Sequence, residues 1–167
     1  MDEKMADAIY NAVKSNADHI KYHLNRGTKN KNVHIHINHF RDGICDQLNE
    51  LYPSLKWTSE KKTSGIFKDK IDILGEGERP CIIEIDAARH DQIAAKFVSR
   101  LALCGLDKPI DYVAVLYESS REVERQMAGK YIQYMCSILQ KVNSNASLLA
   151  LYVDRNKNFE IVRSVYR

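Results

Sequence analysis

The chain has 167 residues, 44% of them hydrophobic, which is enough for one well-filled core and short for two, so a single domain over 1–167 is expected. A formal net charge of +3 is too mild to announce a nucleic-acid binder by composition, and four scattered cysteines without CxxC spacing argue for buried thiols over zinc or disulfides. The acidic start MDEKMADAIY has no apolar signal core, and the longest apolar runs, YVAVLY and LLALYV, are too short to span a bilayer, so a cytoplasmic chain with no membrane association is expected.

From about Asp2 to Leu24, apolar residues recur at helical spacing through Met5, Ile9, Val13, Ile20 and Leu24, predicting an amphipathic N-terminal helix that ends at the basic NRGTKNKN. Ile37, Phe40, Ile44, Leu48 and Leu51, in steps of three and four, share one face of a second helix, and Pro53 follows where it should stop. Its start is open, because Val33, Ile35 and Ile37 also alternate as a strand would. SLKWTSEKKTSG reads as a short edge strand. Basic residues gather in this half as Lys21, Arg26, Lys29, Lys31, Lys56, Lys61, Lys62, Lys68 and Lys70, either a phosphate-tracking surface or ordinary solvated charge.

Phe67 to Leu74 ends in KIDIL, the glycines and charges of GEGER make a turn, and Pro80 introduces the β-branched run CIIEID. This is a hairpin with acids on both arms. A helix is expected from about Asp91 to Cys104, with Ile93, Phe97, Leu101 and Cys104 inward, and then IDYVAVLYE as a buried strand. The helix from about Arg121 to Val142 carries Val123, Met127, Tyr131, Met135, Ile138 and Val142. LLALYV and FEIVRSV close the chain as strands around the turn DRNKN.

A strand as apolar as CIIEID has a reason to contain Glu84 and Asp86 only if something compensates them, because a buried unpaired carboxylate neutralises or finds a partner. Two acids one residue apart project from the same face of a strand. Asp72, among isoleucines on the preceding arm, comes beside them through antiparallel pairing. Three converging carboxylates call for a cation, and hard oxygen ligands suit Mg²⁺ or Mn²⁺. The competing reading is a hairpin whose acids face solvent or pair with a base such as Arg89.

Asp72 in KIDILG, then about ten residues of turn, Glu84 and Asp86 in CIIEID, and the helix RHDQIAAKFVSR directly after: this pattern resembles the PD-(D/E)XK nuclease superfamily, which includes many restriction endonucleases. The resemblance covers about 34–118. It implies an α/β fold with a restriction-endonuclease-like αβββαβ core, a mixed sheet flanked by helices, with the N-terminal helix of 2–24 and the C-terminal helix and strands of 121–167 added to it. It further implies a Mg²⁺- or Mn²⁺-dependent endonuclease acting on DNA, with Asp72 and Glu84 as metal ligands. The third position, usually a Lys that handles the attacking water, is Asp86 here, which would orient that water or help hold a second ion. Lys96, one helical turn beyond Gln92, is a candidate for the displaced cation, and Gln92 followed four residues later by a polar partner resembles a helix motif of some of these nucleases. Most family members that make double-strand breaks act as dimers, so a homodimer is a further expectation, with Tyr131, Tyr134 and Met135 as its interface.

The missing Lys at position 86 also supports an alternative, a catalytically degenerate nuclease-fold module that binds DNA or a protein partner. Asp46 and Glu50 lie one turn apart in the second helix, with Glu50 a candidate accessory acid; an exposed charged face is the preferred reading for both. His34, His36 and His39 in HIHINH match the spacing of the HxHxDH motif of metallo-β-lactamase-like hydrolases, but Asn38 replaces its Asp and only His90 follows downstream. Imidazoles flanking the apolar face of the second helix explain the cluster without a metal.

Overall fold

The computed structural model describes residues 1–24, 33–62, 70–87, 90–105, 108–117, 125–142, 145–154 and 159–164. Its elements run α1 (Glu3–Leu24), α2 (Val33–Leu51), β1 (Lys56–Lys62), β2 (Lys70–Glu76), β3 (Cys81–Ala87), α3 (His90–Cys104), β4 (Ile110–Tyr117), α4 (Arg125–Val142), β5 (Ala146–Val153) and β6 (Phe159–Ser164). From α2 to β4 this is the expected αβββαβ order. The six strands form one sheet in chain order, antiparallel from β1 to β3, parallel from β3 through β4 to β5, and antiparallel again to β6. The fold is α/β, a mixed sheet flanked by helices.

Strand alternation sends side chains to two cores. Ile83, Ile85, Val113, Val115, Leu149 and Leu151 meet Ile9, Val13, Ile20, Phe40, Ile44 and Leu48 of α1 and α2. Ile82, Tyr112, Ala114, Leu116, Leu148 and Ala150 meet Ile93, Phe97 and Leu101 of α3 and Ile132, Met135 and Leu139 of α4. That is why β4 and β5 read as continuous apolar runs: both of their faces are covered. Val113 and Val115 are fully buried in an interior strand, as the central placement of IDYVAVLYE requires.

Three readings of the sequence change. The alternating Val33, Ile35 and Ile37 belong to α2, because Ile37 continues the Phe40–Ile44–Leu48 stripe back by one turn, while Ile35 is turned to solvent. The inner face of α4 is Ala128, Ile132, Met135, Cys136 and Leu139 with Ile138 packed beside them, so of the residues named from the sequence Met135 and Ile138 turn inward and Met127 and Val142 do not. Two apolar stripes run along this helix, and small Ala128 and Cys136 let it lie close to the sheet, leaving Met127, Tyr134 and Val142 exposed. Met135, fully buried, cannot line a dimer interface. Val123 and the start of the predicted helix lie outside the described residues. Cys45, Cys81 and Cys136 are buried free thiols, as expected, whereas Cys104 is partly exposed.

One irregularity lies beside the site. The β1–β2 ladder runs from Lys56↔Glu76 to Ser59↔Ile73, skips the Glu60/Asp72 level, and resumes at Lys61↔Ile71. Glu60 adopts a left-handed backbone with φ of 49°, a conformation that costs a non-glycine residue roughly 1–3 kcal/mol. On the other side of β2, pairing with β3 covers Ile73↔Ile83 to Gly75↔Cys81 and goes no further toward Asp72. Ile71 packs in the α3/α4 core and Ile73 in the α1/α2 core, although residues two apart in a regular strand share a face. Ile71 is thus the residue out of step, while Asp72 and Leu74 share the α3 side as alternation requires.

Candidate active site

Glu84 and Asp86 leave β3 on the side of Ile82, toward α3, since residues two apart share a face. Asp72 reaches the same place from β2 by ordinary alternation: Ile73 faces the α1/α2 core, Leu74 and Asp72 face α3, and the Ile73↔Ile83 register carried one residue on brings Asp72 level with Glu84. Its Oδ2 accepts the backbone N–H of Ile85 at 2.9 Å, so the side chain caps β3 where the ladder of β2 has stopped. From α3, Gln92, Lys96 and Arg100 follow one another at intervals of four along one stripe, next to the buried Ile93, Phe97 and Leu101.

Lys96 is where the acids meet. Its Nζ lies 3.0 Å from Glu84 Oε2, 3.4 Å from Asp72 Oδ2 and 4.0 Å from Asp86 Oδ2. Arg100, 2% exposed, donates from Nε to Glu84 Oε1 at 2.8 Å and from Nη2 to the Lys70 carbonyl at 2.8 Å. One oxygen of Glu84 is thus fixed by a guanidinium. The other, Oε2, touches the Lys96 ammonium but accepts no well-aligned hydrogen bond among the described residues. Gln92 is half-buried one turn before Lys96.

The electrostatics follow from this shortage of donors. Burial, the largest influence, and the neighbouring Asp72 carboxylate push Glu84 up to about 7, against the pull of Lys96 and Arg100. Burial works to lower the Lys96 ammonium, but Glu84, Asp72 and Asp86 outweigh it and hold Lys96 above its ordinary value. Lys96 is therefore a cation at neutral pH. Behind the site the fully buried Tyr112 meets Phe97 edge-on, with ring centroids 4.9 Å apart, and its phenol is pushed well up by burial and then by Glu84.

The three predicted acids and Lys96 come together, and Gln92 stands on the same helix stripe. Among the described residues, however, no group of three or more His, Cys, Asp or Glu is arranged to hold a metal ion. The donor chemistry fits a hard divalent ion, since it is all carboxylate oxygen and includes the under-bonded Oε2 of Glu84. The point the carboxylates share is taken by the Lys96 ammonium, so an ion joining Asp72 and Glu84 would have to loosen its hold. Sequence reasoning passed over Arg100, although its spacing of four from Lys96 and eight from Gln92 was the signal for it.

The remaining candidates sit elsewhere. Asp46 and Glu50 are exposed on α2, the charged-face reading. The HIHINH run is helical; His36 is half-buried, while His39 is exposed and packs edge-on against His19 at 5.8 Å. The side chains of Lys21, Arg26, Lys29, Lys31, His34, Lys68, Arg89 and His90 lie outside the described residues. Lys56, Lys61, Lys62 and Lys70 are exposed, with Lys61 paired to Glu76 and Lys70 to Glu60. No helix among the described residues is long and apolar enough to cross a membrane.

No family model and no curated protein matches the chain. Among solved structures it is similar to SfsA of Pyrococcus furiosus in complex with Ca²⁺, at 12% identity and a TM-score of 0.37, over 75% of this chain and 62% of that one. The chain thus spans less than two thirds of that protein, and a likeness this slight bears on neither the site nor its chemistry.

Proposed function

We propose that the chain is a metal-dependent DNA endonuclease of the PD-(D/E)XK, restriction-endonuclease-like type, hydrolysing phosphodiester bonds. The observation that carries this reading is the convergence of Asp72, Glu84 and Asp86 within 4.0 Å of one lysine ammonium, where β2 parts from β3. Mg²⁺ or Mn²⁺ held by Asp72 and Glu84 would polarise the scissile phosphate and lower the pKa of a bound water. Arg100 holds one Glu84 oxygen and the Ile85 amide holds one Asp72 oxygen, so both carboxylates are oriented before any ligand arrives. Lys96, released from part of its contact with the acids, offers its charge to the phosphate or to the water. Asp86 would accept a hydrogen bond from that water and orient it, or help hold a second ion. Exposed Lys61, Lys62 and Lys70 attract the DNA backbone in a salt-dependent way. Action as a homodimer would rest on exposed groups such as Tyr134, not on Met135.

A second reading, a catalytically degenerate module that binds DNA or a protein partner, is favoured by the ammonium already standing among the acids and by the absence of a ready ligand set among the described residues. Cleavage assays decide between them. Purified protein should nick or cut plasmid DNA with Mg²⁺ or Mn²⁺, stop on chelation, and lose activity in Asp72→Ala with an unchanged circular-dichroism spectrum. Metal and DNA binding without product over many substrates would favour the module instead.

A further inference from the structure

We infer that a cavity beside the site, bounded by β1, β2 and the second half of α3, holds one unpaired nucleotide of the DNA strand next to the scissile phosphate. This rests on the endonuclease reading and deepens it, because it makes the substrate a DNA that carries a single-stranded segment at the cut.

The cavity has a volume of about 300 Å³, at the small end of ligand sites, so it takes a nucleotide and not a duplex. Its walls are of two kinds. Ile71 and Leu74 of β2 and Leu103 of α3 supply apolar surface, and Lys61 and Lys62 of β1 supply ammonium groups. No acid lines it among the described residues. Arg100 is the wall held in common with the site: it lines the cavity, and its Nε donates to Glu84 at 2.8 Å. A strand lying across Asp72 and Glu84 therefore meets this cavity with its neighbouring residue.

Charge and apolarity together select the occupant. Lys61 spends part of its charge on Glu76 at 3.1 Å, whereas Lys62 is exposed with no ion pair among the described residues. Lys62 also stands opposite Lys70 across the ladder, and Lys70 is the one of the two that has Glu60. Like charges at one rung are unfavourable, and a phosphate beside them offsets that. The apolar wall argues against a paired strand. In a duplex the base faces are stacked on one another, so Ile71, Leu74 and the 47% exposed Leu103 would have nothing flat to cover. An unpaired base presents a bare face, and aliphatic side chains cover it without reading its sequence, while the lysines track the backbone.

The test is run with chelator and no metal, so it stands apart from cleavage. Cys104 also lines the cavity and is partly exposed, whereas Cys45, Cys81 and Cys136 are buried, so maleimide labelling of Cys104 reports occupancy. Mildly alkaline buffer is needed, because burial raises this thiol. An oligo(dT) of about 12 nucleotides, held about ninefold above its Kd, should slow the labelling about tenfold, since only unoccupied protein reacts. A blunt duplex of the same length at the same multiple of its own Kd should slow it less than about twofold. Leu103→Ser, a change on an exposed side chain, should weaken oligo(dT) binding by anisotropy about fivefold and leave duplex binding unchanged. Absence of oligo(dT) binding, bound oligo(dT) that leaves Cys104 reactive, or equal protection by duplex would each overturn the inference. Protection of Cys104 by oligo(dT) with no cleavage of any DNA would instead remove the endonuclease and leave the nucleotide cavity standing.

Discussion

Two carboxylates on neighbouring strands, Glu84 on β3 and Asp111 on β4, are both fully buried, and they are treated in opposite ways. Asp111 gathers its donors on one oxygen: the Met1 ammonium, Arg79 Nη2 at 2.8 Å and the Ser147 hydroxyl all converge on Oδ1, while Oδ2 accepts no hydrogen bond among the described residues. Burial works to raise it, yet Arg79, the terminal amine and Ser147 together hold it below the usual carboxylate range. Glu84 draws on Arg100, which also donates to the Lys70 carbonyl, and must share Lys96 with two other acids, and it is pushed up to about 7. An acid surrounded by positive charge fastens the fold together. An acid left short of it has capacity for another cation, and that difference separates a structural carboxylate from a candidate ligand.

The strongest way to break this comparison is to remove each group. Asp111→Ala should lower the unfolding free energy in urea by about 3–5 kcal/mol, the usual cost of breaking a buried pair. Glu84→Gln, which mimics the protonated carboxyl, should cost less than half as much while abolishing cleavage. Equal losses of stability would erase the distinction.

Lys96 sharpens it next. Lys96→Ala should reduce DNA cleavage about 10²–10³-fold, the scale of losing one fixed charge from an active site. Mn²⁺ affinity measured by calorimetry should hold or tighten, because the ammonium that competes for Asp72 and Glu84 has gone. Weaker Mn²⁺ binding would assign Lys96 to building the ligand set rather than to handling water or phosphate.

A gentler test is the pH dependence of stability, with chelator present. Glu84 is raised in the folded state, so protonation favours folding, and its contribution should grow as pH falls from about 7 toward 4.5. Asp111 is depressed, so its stabilisation is complete above the ordinary carboxylate value of 3.8 and is lost as pH falls below it. Each limb has a slope of at most about 1.4 kcal/mol per pH unit, one proton's worth. Glu84→Gln should flatten the upper limb only, and a flat wild-type curve from pH 7 to 4.5 would contradict the account of Glu84.

What the sequence made legible was what depends on local pattern. Alternation in CIIEID placed Glu84 and Asp86 on one face, the unbroken apolarity of IDYVAVLYE placed β4 between two helical layers, and a spacing of four put Lys96 in line with Gln92. What stayed hidden depends on contacts across the fold. The inner face of α4 could not be chosen from two apolar stripes without knowing how closely Ala128 and Cys136 let it approach the sheet. Glu60 is one charge among many in SEKK, and only the fold brings Arg41 and Lys70 to its carboxylate. Arg100 looked like an ordinary surface base until Glu84 and the Lys70 carbonyl took it inside.

The outer edge of β1 has a consequence for how copies of the chain behave when crowded. A terminal strand offers unpaired backbone amides and carbonyls to any passing strand, which is how sheets of separate molecules fuse into aggregates. Here that edge carries exposed Lys56, Lys61 and Lys62, and the kink at Glu60 interrupts the straight run a second strand would need. Two such edges meeting would bring like charges together over a broken ladder, which keeps β1 from recruiting a neighbour.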